Sequence, residues 1–443
     1  MDHSAELHRD IAGAGKGAQA PLGTTAKCSS PPPREKAKRA GRYSALSTAR
    51  EWMFRRAQLV DREKNPGDIY RTHDCKWARR KEHVDVFFDA LHQGAHYGGL
   101  ATCGSVWACP VCAAKVQQRR REELTQLVSW TYDQELEPVM VTLTFPHTRF
   151  DSLGDLLSKQ RQAFERLRSG KVWQKFKQKY GYTGLVRSLE LTHGRNGWHP
   201  HTHELWIIRP LQPSERAAFH DFIRERWAKV CAKVGLLDMA DAEQLRAFFS
   251  HSVDVRYQVN DSDYLAKQDS SRAWGVDREL ASASSKSGRR SGVHPHEFLV
   301  RQAPGDYDLF LEYVDSMKGA RQLFWSRGLK DLVGVIDQSD EELSEESQEH
   351  ADLLGLLTAE QWRFVRGNDA RAELLDAAET GGWAAVLALL ASLGCELLAH
   401  EVNQLVQVDG LPVSDLYQQL DSFHVAHPLF PPSVAVGLPP PAS

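Results

Sequence analysis

The sequence predicts an α+β fold with a central antiparallel sheet flanked by helices, and three features carry that prediction. A β-branched run, PVMVTLTF at 138–145, is ended by Pro146 and reads as a buried strand. Two further runs, GYTGLVRSLELTH and HTHELWII, flank the turn sequence GRNG at 194–197, the signature of a β-hairpin. Around them lie stretches whose apolar residues recur three and four apart, as on one face of a helix. Strand, helix, hairpin, helix is the order of an antiparallel sheet with helices packed on it.

Taken in chain order, residues 1–45 are rich in Gly, Ala, Ser, Pro and basic residues. With few large apolar groups to offset ordering entropy they read as a disordered basic tail. Residues 46–130 form a cysteine-rich segment, and 131–335 hold the strands and helices of the main domain. Within it, 152–176 is predicted helical, with Leu153, Leu156, Leu157, Phe164 and Leu167 in register and a basic, aromatic end, KVWQKFKQKY. A second amphipathic helix opens at Ser214 and runs to about Val234, with Phe219, Phe222, Ile223, Trp227 and Val230 on one side. ELASASSKSGRRSG at 279–292 reads as a flexible basic loop, and 336–350 as an acidic linker. Residues 351–427 are predicted to be a helical accessory region, from LLGLL onwards, and 428–443 a Pro-rich disordered tail.

A chain of 443 residues suits two or three domains of roughly 100–200 residues each. Its most apolar stretch, Trp383 to Cys395, has 13 residues, short of the roughly 20 that span a bilayer. No apolar segment follows a basic one in MDHSAELHRD, so neither a secretory signal nor a membrane partner is expected. A cytoplasmic protein follows, one whose cysteines stay reduced. The net charge of −3 conceals a division: residues 333–443 hold 3 Lys+Arg against 18 Asp+Glu, and residues 1–332 hold 52 against 40. A basic body suits a polyanionic partner; the acidic end does not.

Cys103, Cys109 and Cys112 fall within ten residues, and Cys75 lies 28 residues before the first. Thiolates at this spacing suit structural Zn2+ in a tetrahedral site. Cys75 is the first choice for fourth ligand, with His96 or His73 the alternative.

The sharpest motif is GWHPHTHELW at 197–206. Alternate residues of a strand face one side, so His201 and His203 present two imidazoles to one metal ion. His199 shares their parity, although Pro200 intervenes. Glu190, on the preceding strand of the hairpin, supplies a carboxylate across the ladder. Two histidines and a carboxylate with open positions accept Mg2+ or Mn2+ together with a phosphate oxygen. A nucleophile lies further on, in Asp263-Tyr264-Leu265-Ala266-Lys267, where Tyr264 and Lys267 share a helix face. A neighbouring ammonium or metal favours the phenolate. Tyr257 is the rival tyrosine. GAGK at 13–16 is followed by Gly17 and sits in the tail, so no phosphate-binding loop is assigned.

The ordered set VTLTF, GWHPHTHEL and YLAK resembles the three motifs of the HUH endonucleases, the rolling-circle replication initiators. The cysteine cluster, SKSGRR and WSRGLK (325–330) resemble segments of the Rep_1 group of plasmid replication initiators. The resemblance covers about 75–335. It implies an HUH nuclease domain in which His201 and His203 bind the metal, Glu190 is the third ligand and Tyr264 the nucleophile. Two positions depart from the pattern: Thr202 stands in the middle of the triplet, usually hydrophobic, and Asn260 stands where a glutamate precedes the tyrosine. Asp261 or Asp263 then takes the role of the acid that activates water in termination.

The resemblance further implies nicking of one strand of plasmid origin DNA, single-stranded or extruded as a hairpin. It leaves a 5′-phosphotyrosine link and a 3′-OH for a host polymerase, and a host helicase unwinds. Lys171, Lys175, Lys177 and Lys179, with Lys286, Arg289 and Arg290, are the implied backbone contacts. The acidic C-terminal region is left for a protein partner or self-association. Competing readings are an HUH transposase or relaxase and a non-enzymatic zinc-dependent DNA-binding regulator.

Overall fold

The computed structural model describes residues 33–59, 70–258, 292–321, 323–344, 351–398 and 400–401. Among these, eight strands form two antiparallel sheets. Strands β1 (Val84–Asp89), β2 (Gly94–Gly98) and β8 (Ala351–Leu357) make a small sheet in the order β2-β1-β8. Strands β3 (Glu137–Leu143), β4 (Gly184–Gly194), β5 (Gly197–Ile208), β6 (Val253–Arg256) and β7 (Leu323–Trp325) make the larger one, ordered β6-β3-β5-β4-β7. The predicted hairpin is present, with Glu190 opposite His201 and Ser188 opposite His203.

The alternation of side chains divides the large sheet into two unlike faces. Val139, Val141, Leu143, Leu185, Leu191, Trp206 and Ile208 belong to the main core. Three helices cover it: α3 (Leu153–Leu167), α4 (Gly170–Tyr180) and α5 (Pro213–Lys233), in positions fixed by Trp173 and Phe176 against Trp206 and by Phe164 stacked on Trp227. The helix predicted over 152–176 is thus two helices. The chain breaks at Ser169 and Gly170 (φ +76°), a conformation glycine adopts without strain. Helix α5 starts one residue before Ser214, at Pro213, and Gln212 forms its capping box with Glu215.

On the opposite face, Met140, Val186, Leu205, Ile207 and Leu323 are covered by Leu124, Leu127 and Val128 of α2 (Pro110–Asp133). This cover ends before His203, and the same face continues to His201 and Glu190.

Helix α1 (Pro33–Leu59) overturns part of the predicted tail, because residues 33–45 are helical. Its core-facing residues begin at Tyr43, too late for composition to reveal, and Arg39 extends the anchorage by bonding Asp376 and Glu379. Ala45, Ala49, Trp52 and Met53 enter the main core, Leu46 packs with the cysteines, and Tyr43 joins the core of the small sheet.

The predicted helix at LLGLL is strand β8, which pairs with β1 from Val84–Leu357 to Asp89–Ala351. A short apolar run carries no periodicity that separates strand from helix. Tertiary pairing with β1 decides it. Gly355 is required there, since a Cβ would lie 2.3 Å from the Trp383 indole. Beyond β8 the described residues include two helices, as expected, α11 (Ala359–Gly367) and α12 (Arg371–Ser392), and the predicted helical region from 402 to 427 lies outside the described residues. By length and composition α12 is apolar enough to cross a membrane, unlike the shorter stretch seen in sequence. It kinks at Gly381–Gly382, and Leu374, Leu375, Val386, Leu387 and Leu390 are buried against the small sheet.

The expected acidic linker is partly structured: α10 (Asp340–Ser344) lies on α2. The remaining short helices are α6 (Ala242–His251), α7 (Glu297–Arg301), α8 (Asp306–Ser316) and α9 (Leu329–Val333).

Candidate active site and metal centres

Glu190, His201 and His203 converge because β4 and β5 pair them on one face. The Nε2 atoms of His201 and His203 each lie 3.0 Å from the same oxygen, Glu190 Oε2. All three ligand atoms sit within 4.8 Å of one another. Burial alone raises the Glu190 carboxyl, but hydrogen bonds and charge from His201 and His203 outweigh it and hold it well below the usual carboxylate range. The cluster is therefore anionic acceptor plus two imidazoles, a set compatible with a divalent cation.

The strand VTLTF orients these ligands. Thr142 pairs with His203 across the ladder, and its hydroxyl lies 3.0 Å from His203 Nδ1. Thr144, on the same parity, reaches His199 Nε2 at 3.4 Å. Such contacts fix which ring nitrogen is free for a metal.

His199 stands one position further along the face and is engaged by His147, Nδ1 to Nε2 at 2.6 Å. The Asn196 carbonyl can only accept, so His147 Nδ1 carries the proton it donates at 3.0 Å. His147 Nε2 then accepts from His199, leaving His199 Nε2 as an acceptor. Burial, followed by the charges of His201 and His147, pulls His199 down to about 4, and burial also lowers His147. Both rings are neutral near pH 7.

Sequence reasoning missed Thr142, Thr144, His147 and His294. The threonines carried a signal, since they alternate in step with the histidines. His147 lies in a loop, and His294 reaches the site because Val293 bridges His193 of the hairpin. Burial and His296 lower His294, and the Glu190 charge acts on it.

Tyr264, Lys267, Asp261, Asp263, Lys286, Arg289 and Arg290 lie outside the described residues. The rival Tyr257 is described. It packs near Phe219 on the helix-covered side and donates to the Arg216 carbonyl, and burial raises it to about 12. Lys171, Lys175, Lys177 and Lys179 belong to α4, on the face of the sheet opposite the Glu190 cluster. Thr202 also turns away from the cluster, 1% exposed with its hydroxyl unpartnered among the described residues.

Cys75, Cys103, Cys109 and Cys112 are all buried, with their sulfurs within 4.8 Å of one another. Three of the contacts measure 3.5, 3.7 and 3.7 Å. A zinc tetrahedron with about 2.3 Å bonds has edges of about 3.8 Å, so the spacing fits that ion. Cys109 caps α2 and accepts from Cys112 N at 3.4 Å, which places the thiol at a positive helix end. Cys75 completes the group, while His73 pairs with Asp74 and His96 stacks on Phe87.

An α+β chain carrying a two-histidine, one-glutamate cluster beside a four-cysteine node is the class these observations define. The profile of the replication protein family Rep_1 matches residues 100–368, and this chain belongs to that family. The match runs beyond the limit near 335 that the motifs suggested. A "Protein rep" of Streptomyces lividans is 28% identical over 354 aligned positions, covering 65% of this chain and 73% of its own length. A "Neomycin resistance protein" of Streptomyces cyanogenus is 35% identical over 136, covering 25% of this chain and 31% of its own. No solved structure matches.

Proposed function

We propose that the chain is a cytoplasmic plasmid replication initiator that nicks one strand of origin DNA and later rejoins it. The observation that carries this reading is the convergence of Glu190, His201 and His203 on one sheet face in a member of a replication protein family. These three residues would hold Mg2+ or Mn2+, which would supply charge to polarise the scissile phosphate.

The chain's own residues do the rest. Thr142 sets the His203 ring, and Glu190 stays ionised between the imidazoles. The phenol of Tyr264 passes its proton to solvent, the Lys267 ammonium favours the phenolate, and the phenolate oxygen bonds to phosphorus. The P–O3′ bond breaks, and the 3′ oxygen takes up a proton. The phosphotyrosine retains the diester's energy, so a 3′-OH can reverse the step, while Asp261 or Asp263 serves as base for water. The four cysteines would hold Zn2+, which would tie the Cys75 loop to α2. Host helicase and polymerase complete replication.

Purified full-length protein incubated with a labelled single-stranded origin oligonucleotide and Mn2+ tests this. A protease-sensitive covalent adduct, absent in Tyr264→Phe, is expected. Cleavage without an adduct overturns the tyrosine mechanism.

A further inference from the structure

A cleft of about 740 Å³ opens between the Cys103–Trp107 loop and residues 314–331. Six cations line it: Arg71, Arg120, Lys318, Arg321, Arg327 and Lys330. Arg120 is 8% exposed, and among the described residues its Nε has no hydrogen-bond partner. Aromatic rings line it too. Trp325, with the Lys330 ammonium 5.5 Å from its ring centre, has a buried indole N–H with no partner among the described residues.

One short acidic segment lines this space and pairs with its cations. Asp337 meets Lys330 at 2.8 Å, Asp340 meets Arg120 at 2.8 Å, and Glu341 meets Arg71 at 2.7 Å. Leu343 pins the segment by packing against Val106 and Val116. Its backbone lies so close to the cysteine loop that a Cβ on Gly104 would approach Glu341 Cα to 2.8 Å. With the segment in place the cleft lining still has two more cations than acids; without its three carboxylates the excess is five. Arg71 and Glu341 are 61% and 55% exposed, and exposed pairs of this kind hold weakly.

We propose that this cleft seats the phosphodiester backbone of single-stranded DNA, and that the carboxylates of segment 337–341 hold its cations as an acidic stand-in which the strand displaces. Single strands are favoured over duplex because rings among cations stack unpaired bases. The location agrees. Trp325 pairs with Val186 on β4, four residues and about 13 Å from Glu190 on the same face. The inference rests on the reading of the chain as acting on DNA.

The test is fluorescence anisotropy of full-length protein with a labelled oligothymidine across salt concentrations. Asp337→Asn, Asp340→Asn, Glu341→Gln together are expected to tighten binding about 5-fold at low salt. A charge-matched control, Glu165→Gln, Glu225→Gln, Glu243→Gln, should stay near wild type. Arg321→Ser with Arg327→Ser, both exposed positions, should weaken binding and make the log K against log salt slope shallower by about 1.4. If the wild type binds and the acidic variant only matches its control, or the arginine variant keeps its slope, the cleft assignment is overturned alone. If neither wild type nor acidic variant binds, the DNA reading falls with it.

Discussion

The two clusters of residues able to hold a metal are built on opposite principles. The cysteine node is closed: four sulfurs, all buried, drawn from a loop, a turn and the first turn of α2. The Glu190 cluster is half-open, and its three donors come from the middles of two paired strands. Loops need a crosslink to hold their positions, whereas paired strands already fix theirs. The first cluster should therefore matter for folding and the second for chemistry.

The largest expected effect breaks the node. Cys109→Ser with Cys112→Ser removes two of four donors, and a structural zinc is worth on the order of 10 kcal/mol. Metal analysis should find about one zinc per wild-type chain and none in the variant, and the variant should lose its cooperative melting transition. A variant that melts like wild type removes the structural role.

His203→Ala should do the reverse. Mn2+-dependent nicking is expected to fall at least about 100-fold, while stability changes by less than about 2 kcal/mol. Nicking assays beside calorimetry separate the two quantities. Thr142→Val, which keeps the shape and deletes the hydroxyl, should lower metal affinity or nicking about 10- to 100-fold. Zinc content should not change; equal metal affinity would deny the threonine its orienting role.

The smallest effect concerns acid. His296 is 1% exposed, bonds the Trp107 carbonyl at 2.6 Å, and burial pulls it down to about 4. A folded value below the unfolded 6.5 means that stability is intact above pH 6.5. It is lost as pH falls towards 4, on the order of 3 kcal/mol in all. His296→Gln keeps a donor for the carbonyl and should flatten the stability profile in that window. An unchanged profile would place the titration elsewhere.

The three central strands of the large sheet were readable because their pattern is local, whereas the short edge strands β6 and β7 were not read. PVMVTLTF, GRNG and HTHELWII each specify their conformation within a few residues, and the parity of His201 and His203 follows from strand geometry alone. Cys75 was found by residue type, since sulfur ligands are few. What escaped depends on contacts remote in sequence. The helix over 33–45 is held partly by Arg39 on Asp376 and Glu379, and His147 and His294 arrive through loop closure. LLGLL becomes a strand only because β1 awaits it.

That last pairing has a consequence for synthesis. Strand β1 leaves the ribosome 267 residues before β8 begins, which at about 5–20 residues per second is a delay on the order of 13–50 s. Throughout that interval the β1 edge that will receive β8 is a row of unsatisfied backbone donors and acceptors, a template for pairing with another nascent chain. The five-stranded sheet, whose last strand ends at Trp325, is complete earlier. Nascent chains are thus able to assemble the Glu190 cluster while their small sheet still lacks an edge, and high expression should favour aggregation through β1 before it favours misassembly of the site.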